Sequence, residues 1–193
     1  LISKFWRCRR HNMKIISGKY KGRTIQTIND SSTRPMMGIA REGIFNSLQF
    51  SFKDSDVLDL FAGSGSMGIE ALSRGANYVT FIDNSKECID KIKYNLKDID
   101  NNYSVLNLNV SNYLIQNKSK FNVIFYDPPF SYESEIVNKD ISQLSNNLDE
   151  EGFIVIHRHS NSPSTVYPKD VELYKEKKYG QSKVLILRKK WKF

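Results

Sequence analysis

The stretch from Val57 to Gly68 leaves this chain few folds to choose from. Val57-Leu58-Asp59-Leu60-Phe61 is a short apolar run interrupted by one carboxylate, and it leads into Gly63-Ser64-Gly65-Ser66-Met67-Gly68. A G-x-G-x-x-G pattern has structural meaning when it follows a strand and opens a helix. Both conditions are predicted here, because Met67 to Ser73 has the character of a helix start and Gly75 ends it. Glycines at such a junction allow a tight turn and let backbone approach a ligand closely.

The rest of the centre repeats the alternation. Strands are predicted at Val79 to Ile82, Val105 to Leu108, Val123 to Tyr126 and Phe153 to Ile156. Helices are predicted over Lys86 to Leu96, Asn112 to Gln116 and 134–147, the first with Cys88, Ile89, Ile92 and Leu96 on one face. This βαβα rhythm predicts a parallel sheet covered on both faces. The end differs: Val171 to Lys175 and Val184 to Leu187 bracket Tyr179-Gly180-Gln181, an antiparallel hairpin. At the front, Ile15-Ile16 and Thr24-Ile25 flank a turn with two glycines, and residues 38–50 carry helical spacing. The expected fold is α/β and Rossmann-like, a seven-stranded, mostly parallel sheet with a C-terminal antiparallel hairpin and a small N-terminal β-hairpin/helix extension.

The chain has 193 residues, one ordinary domain with room for a small appendage. A membrane span takes about 20 apolar residues, and no run approaches that. Cys8 and Cys88 are too few for a disulfide framework or a zinc site and read as reduced thiols. Net charge is +8, which favours an anionic partner such as nucleic acid. Lys4, Arg7, Arg9 and Arg10 supply half of that excess before Met13. Residues 1–12 read as a segment outside the fold, either an upstream-translated or appended stretch or an Arg-rich targeting remnant. Residues 13–50 form the N-terminal hairpin and helix, and 51–193 the main domain.

Asp83 lies twenty residues after Gly63, at the end of the next predicted strand. A carboxylate there can accept hydrogen bonds from ribose hydroxyls, so a nucleoside-containing cofactor is indicated. A nicotinamide dinucleotide and S-adenosylmethionine both contain a ribose. Asp59 favours the second, because a carboxylate at the end of the first strand crowds a pyrophosphate but suits a sulfonium and an amino group. The alternative is a glycine turn needed only for strand–helix packing.

Asp127-Pro128-Pro129-Phe130 follows the Val123–Tyr126 strand. Ligands of open α/β sheets bind beyond the carboxyl ends of strands, so this turn is expected to face the glycine loop. Prolines hold φ nearly fixed and lack N–H groups, leaving the Pro128 carbonyl and the Asp127 carboxylate as acceptors. Phe130 offers a flat face for stacking a base. An amine on a purine ring is a poor nucleophile, since its lone pair is delocalised. Two acceptors held in place orient its N–H bonds and stabilise the positive charge of the transition state. A strand-terminating turn with Phe130 in the core is the alternative.

These residues resemble the class I S-adenosylmethionine-dependent methyltransferases that act on exocyclic nitrogens, and more narrowly the RsmD family of bacterial 16S rRNA guanine-N2 methyltransferases. The resemblance runs from Met13 to Lys189. It rests on Ile16 to Arg23, Thr33-Arg34-Pro35, Arg41-Glu42, Phe45-Asn46, Val57 to Gly65, Gly68 to Ala76 and Asp127 to Phe130. It implies that Asp59 and the loop Phe61, Ala62, Gly63, Ser64 and Gly65 contact the methionine part of S-adenosylmethionine. Asp83, followed by Asn84, would hold the ribose, and Asn109 and Val110 would lie at the adenine. Asp127 and Pro128, with Pro129 and Phe130, would receive the guanine amine. The implied substrate is a guanine of small-subunit rRNA, usually labelled guanine-966, within the subunit or its precursor. Adenine-N6 and glutamine-N5 methyltransferases use related turns and remain alternatives, as does a non-catalytic RNA-binding assembly factor.

Lys19, Lys21 and Arg23 on the hairpin, and Arg34 beyond it, are expected to grip RNA phosphates. Departures from the family pattern stand at Met36 to Ile39, at Asn109 in place of an acid, and at His157-Arg158-His159, where an acid is expected. His157 and His159 lack an evident carboxylate or cysteine partner, so no metal is expected. The protein is expected to act as a cytoplasmic monomer.

Overall fold

The computed structural model describes residues 12–28, 38–100 and 102–190. Residues 1–11 of the expected extension, Arg34 and the Thr-Arg-Pro segment lie outside the described residues. Asn12, assigned to that extension from sequence, instead begins β1 (Asn12–Lys14), which pairs antiparallel with β2 (Thr24–Gln26). Then follow α1 (Gly38–Ser47), β3 (Asp56–Leu60), α2 (Ser66–Ser73), β4 (Tyr78–Asp83), α3 (Lys86–Asn95) and β5 (Tyr103–Asn107). The chain continues through α4 (Val110–Gln116), β6 (Phe121–Tyr126), α5 (Ser134–Asn146), β7 (Leu148–His159), β8 (Val171–Tyr179) and β9 (Ser182–Lys189).

The main sheet has seven strands in the order β5-β4-β3-β6-β7-β9-β8. The first five are parallel, and β9 pairs antiparallel with both β7 and β8. The expected Rossmann-like architecture is therefore present, with its terminal hairpin tucked so that the last strand lies inside the sheet. The chain builds outward through β4 and β5, then returns to place β6 on the other side of β3. That reversal between β3 and β6 is the topological switch point, where open α/β sheets hold their ligands.

Strand alternation divides the core in two. Val57, Val79, Phe81, Val123, Phe125 and Val155 pack against α1, α2 and α3, together with Ile15 and Ile25 of the hairpin. Leu58, Leu60, Ile82, Ile124, Tyr126, Ile154 and Ile156 pack against α4 and α5. In α5, Val137, Ile141 and Leu144 supply the buried face at helical spacing. The buried Asp140 of the same helix accepts from the Tyr126 hydroxyl at 2.7 Å and from Ser111 Oγ at 2.9 Å. Burial and the Asp140 charge push the Tyr126 phenol well above its ordinary range.

The N-terminal hairpin shares the main core and is fastened behind the glycine loop by α2. Buried Glu70 accepts the backbone N–H groups of Ile16 and Ser17 at 2.8 and 3.1 Å, and Arg74 Nε at 2.8 Å. Ser73 accepts from Tyr20 N–H and donates to the Ser17 carbonyl. Gly18 sits at φ +86° so close to this joint that a Cβ would overlap the Ser73 carbonyl. Arg41 of α1 donates to the Lys14 carbonyl at 2.5 Å.

Candidate active site

Strand register brings the site residues into one row. Leu60 pairs with Ile82 of β4 and with Tyr126 of β6, and Tyr126 pairs with Ile156 of β7. Asp83 ends β4 opposite Asn107 of β5. Phe61, Asp127 and His157 each stand one residue past those paired positions. The carboxyl edge of the sheet therefore reads Asn107, Asp83, Phe61, Asp127, His157. The glycine loop and the Asp-Pro-Pro-Phe turn leave adjacent strands on the two sides of the switch point. Phe61 joins them: its ring meets Tyr126 and Tyr132 edge-on, with centroids 5.6 and 5.4 Å away.

The loop after β3 is shaped by backbone that most side chains avoid. Phe61, Gly63 and Gly65 all have positive φ, at 55°, 55° and 76°. Gly65 N–H closes the turn on the Ala62 carbonyl at 2.7 Å. Gly68 serves a different end, since a Cβ there would overlap the Phe81 ring beneath α2. The two carboxylates foreseen at the site hold this loop. Asp59 Oδ2 accepts from Gly68 N–H at 2.9 Å. Asp83 accepts from Gly63 N–H through Oδ2 and from Ser85 N–H through Oδ1, both at 2.9 Å.

Asp59 is 3% exposed. Burial pushes its carboxyl up to about 8, helped by the charges of Asp127 and Asp83 and opposed by the Gly68 hydrogen bond. Desolvation penalises the charged form and nearby like charges add to it. Asp59 is thus a buried acid with one hydrogen bond and two acidic neighbours, which a cationic ligand group would relieve. Among the described residues, no group of three His, Cys, Asp or Glu side chains is arranged to hold a metal ion.

In the turn after β6, Pro128 is buried while Pro129 and Phe130 are exposed at the surface. Asp127 is partly exposed, and its Oδ1 lies 2.7 Å from His157 Nδ1. Phe130 meets the rings of His157 and His159 edge-on at 5.4 Å each. Arg158 donates to the Tyr132 carbonyl at 3.0 Å. The His157-Arg158-His159 departure thus forms the wall behind the turn.

The remaining sequence-named residues fall in several places. Asn84 is exposed beside Asp83. Asn109 caps α4 by accepting from Asn112 N–H at 3.1 Å, and Val110 sits in the core behind it, leaving backbone rather than side chain for a ligand. Lys21 is exposed on the hairpin turn. Lys19 forms an exposed ion pair with Asp100 at 2.6 Å. Arg23, half-buried, lies against the carboxyl end of α3: it donates to the Lys97 carbonyl and to the carbonyls of Asp98 at 3.2 Å and Asn95 at 3.5 Å. A cation there satisfies orphan carbonyls and complements the helix dipole.

Two positioning elements had no counterpart in the sequence reading. Asn95, 4% exposed, donates to the carbonyls of Ser64 and Gln26 at 2.9 Å each and accepts from Gln26 N–H at 3.0 Å. It ties the glycine loop to the hairpin. Glu70 ties α2 to the hairpin through the Ile16 and Ser17 amides. A hollow of about 530 Å³ between β2 and α3, lined by Gln26, Lys91 and Tyr94 among others, contains none of the converging acids.

A family model described as "Conserved hypothetical protein 95" matches residues 13–188. The chain is 37% identical over 174 residues to "Ribosomal RNA small subunit methyltransferase D" of Buchnera aphidicola subsp. Acyrthosiphon pisum, covering 87% of this chain and 90% of that one. The protein of the same name from Haemophilus influenzae is 34% identical over 175 residues, covering 87% and 89%. The solved structure titled "Putative methyltransferase yhhF from Escherichia coli" superimposes with a TM-score of 0.84 at 29% identity, covering 94% of this chain and 99% of that one.

Proposed function

The chain belongs to the RsmD family of ribosomal RNA methyltransferases, and on that premise we propose that it transfers a methyl group from S-adenosylmethionine to the exocyclic N2 amine of a guanine in small-subunit rRNA. By family resemblance that base is guanine-966. The single observation that carries the reading is the placement of Asp127. It stands one residue past β6 at the switch point, followed by the Pro128 carbonyl and level with Phe61 and Asp83.

The residues present suit the cofactor. Asp59, buried and flanked by two further acids, favours a cationic group at the start of the glycine loop. Phe61, Ala62, Gly63, Ser64 and Gly65 would hold the methionine part beside it. Asp83 uses one lone pair of Oδ2 on the glycine loop and one of Oδ1 on the Ser85 amide, and keeps others for ribose hydroxyls. Asn109 and the backbone of Val110 would border the adenine. When bound, S-adenosylmethionine supplies an electrophilic methyl group on a sulfonium.

The protein's own part is to prepare the nucleophile. Asp127 and the Pro128 carbonyl accept the two N–H bonds of the guanine amine and turn its lone pair away from the ring. Asp127 also opposes the positive charge that grows on nitrogen, in a site that needs no reorganisation to do so. The target base must leave its stack to reach this edge, and Phe130 offers the ring face that receives it. Lys21 and Lys19 on the hairpin would supply phosphate contacts, joined by Arg34.

The test is mass spectrometry of small-subunit rRNA nucleosides from cells with and without the gene. N2-methylguanosine should fall on deletion, return with the wild-type gene and stay absent with Asp127→Ala. An unchanged nucleoside profile on deletion refutes the proposal.

A further inference from the structure

The Asp127–His157 contact has no part in the chemistry above, yet it is the one polar side-chain partner that the described structure gives to Asp127. The two residues come from neighbouring parallel strands, each one position past the Tyr126–Ile156 pair. His157 is 3% exposed, whereas Asp127 is 33% exposed and keeps Oδ2 available. A carboxylate can only accept, so the tautomer that joins the two as carboxylate and imidazole carries its hydrogen on Nδ1. Among the described residues, His157 Nε2 is buried with no hydrogen-bond partner. A proton there would be an orphaned buried donor, which is costlier than an unused lone pair. The same imidazole braces the Phe130 ring at 5.4 Å, and its neighbour Arg158 holds the Tyr132 carbonyl at 3.0 Å.

We propose that His157 is the positioning residue of the amine-receiving carboxylate. Its Nδ1–H holds Asp127 Oδ1, so that Oδ2 and the Pro128 carbonyl are presented to the guanine amine in one orientation. The inference rests on the methyl-transfer reading of this site and names the group that orients its acceptor. His157 touches neither the methyl donor nor the base.

The experiment compares the wild type with His157→Leu, His157→Asn and Asp127→Ala, using small-subunit rRNA and labelled S-adenosylmethionine. Leucine keeps the bulk and removes the donor, and asparagine restores an N–H donor close to Nδ1. Loss of one oriented hydrogen bond to a charged group predicts a kcat lower by roughly ten- to hundredfold in His157→Leu. KM for RNA and Kd for the donor should stay within about threefold, and His157→Asn should recover to within about threefold of wild type. Wild-type kcat in His157→Leu, or equal slowness of the Leu and Asn variants, overturns the proposal. Absence of transfer by the wild type itself would instead refute the function proposed above. A ¹⁵N spectrum of the wild-type imidazoles, independent of activity, then decides the contact. Nδ1 protonated with Nε2 bare supports it; the reverse tautomer overturns it.

Discussion

Asp59→Asn should make the cofactor-free protein more stable and unable to hold S-adenosylmethionine. Asp59 is 3% exposed, has one hydrogen bond from Gly68 at 2.9 Å, and is pushed up to about 8 by burial and then by Asp127 and Asp83. In the unfolded chain the same carboxyl titrates at about 3.9. Between these values the folded chain holds a proton that the unfolded chain has lost. Stability from this group is therefore complete below about pH 4, declines as the pH rises, and levels off above about 8. Asparagine can accept the same Gly68 hydrogen bond and has no charge to desolvate. At about 1.4 kcal/mol per unit, its advantage over aspartate grows by roughly 3 kcal/mol between pH 5.5 and 8.5. For a domain of this size that is on the order of 6–12 °C in melting temperature. Calorimetric melts of both proteins at the two pH values test this. A wild-type-to-variant gap that does not widen with pH would refute the account of Asp59 as a strained acid. Donor binding adds a second readout. If a cationic group restores the charge of Asp59, binding near pH 7 should release about one proton, seen as a buffer-dependent heat, and release should vanish near pH 9.

Three further perturbations separate the roles of the neighbouring residues. Asp127→Ala should abolish methyl transfer while leaving donor affinity within about tenfold, because it removes a contact made in the transition state; equilibrium dialysis beside a single-turnover assay would show the split. Asp83→Ala should weaken donor binding by about 1–3 kcal/mol, since it removes a charged acceptor and releases the Gly63 and Ser85 amides it holds; titration calorimetry with no change would exclude the ribose role. Arg23→Ala should lower stability by about 1 kcal/mol, a melting-temperature drop of about 2–4 °C, through loss of the cap on α3. Its RNA salt dependence should keep the wild-type slope; a slope lower by about one would place Arg23 on a phosphate instead.

Val57 to Leu60 and Val123 to Tyr126 were legible because strands buried on both faces must be apolar almost throughout, and Asp59 stands out against that background. Asp83 and Asp127 could be placed at the same edge because parallel strands all end their carboxyl termini on one side. Other features had no local signature. Asp149-Glu150-Glu151-Gly152 falls between the expected helix and the expected strand, yet it lies within β7, where the pairing with β6 shifts register between Phe121 and Val123. The hairpin strand expected at Ile15-Ile16 instead spans Asn12–Lys14, with Ile15 still bonded across to Arg23 and Gly22, because Ile16 and Ser17 give their amides to Glu70 instead of to a ladder. Glu70, Asn95 and Arg23 act on backbone groups as far as 75 residues away in sequence, and backbone groups leave no mark on composition.

The choice between two nucleoside cofactors turns on which groups already occupy the amides at the start of α2. A dinucleotide site keeps those N–H groups for a pyrophosphate and keeps negative charge away from them. Here Gly63 N–H is taken by Asp83, and Gly68 N–H by Asp59. A pyrophosphate would have to displace two carboxylates and then lie beside them, with Asp127 adding to the repulsion. A donor bearing positive charge meets the opposite situation, because it lowers the cost of keeping three acids at one sheet edge. The same field bears on how a chain of net charge +8 would present RNA to an acidic sheet edge under the proposed function. On the proposed function, phosphates would be repelled from the edge itself and drawn to cations on the hairpin, so that the part of the nucleotide brought to the acids would be the uncharged base with its amine.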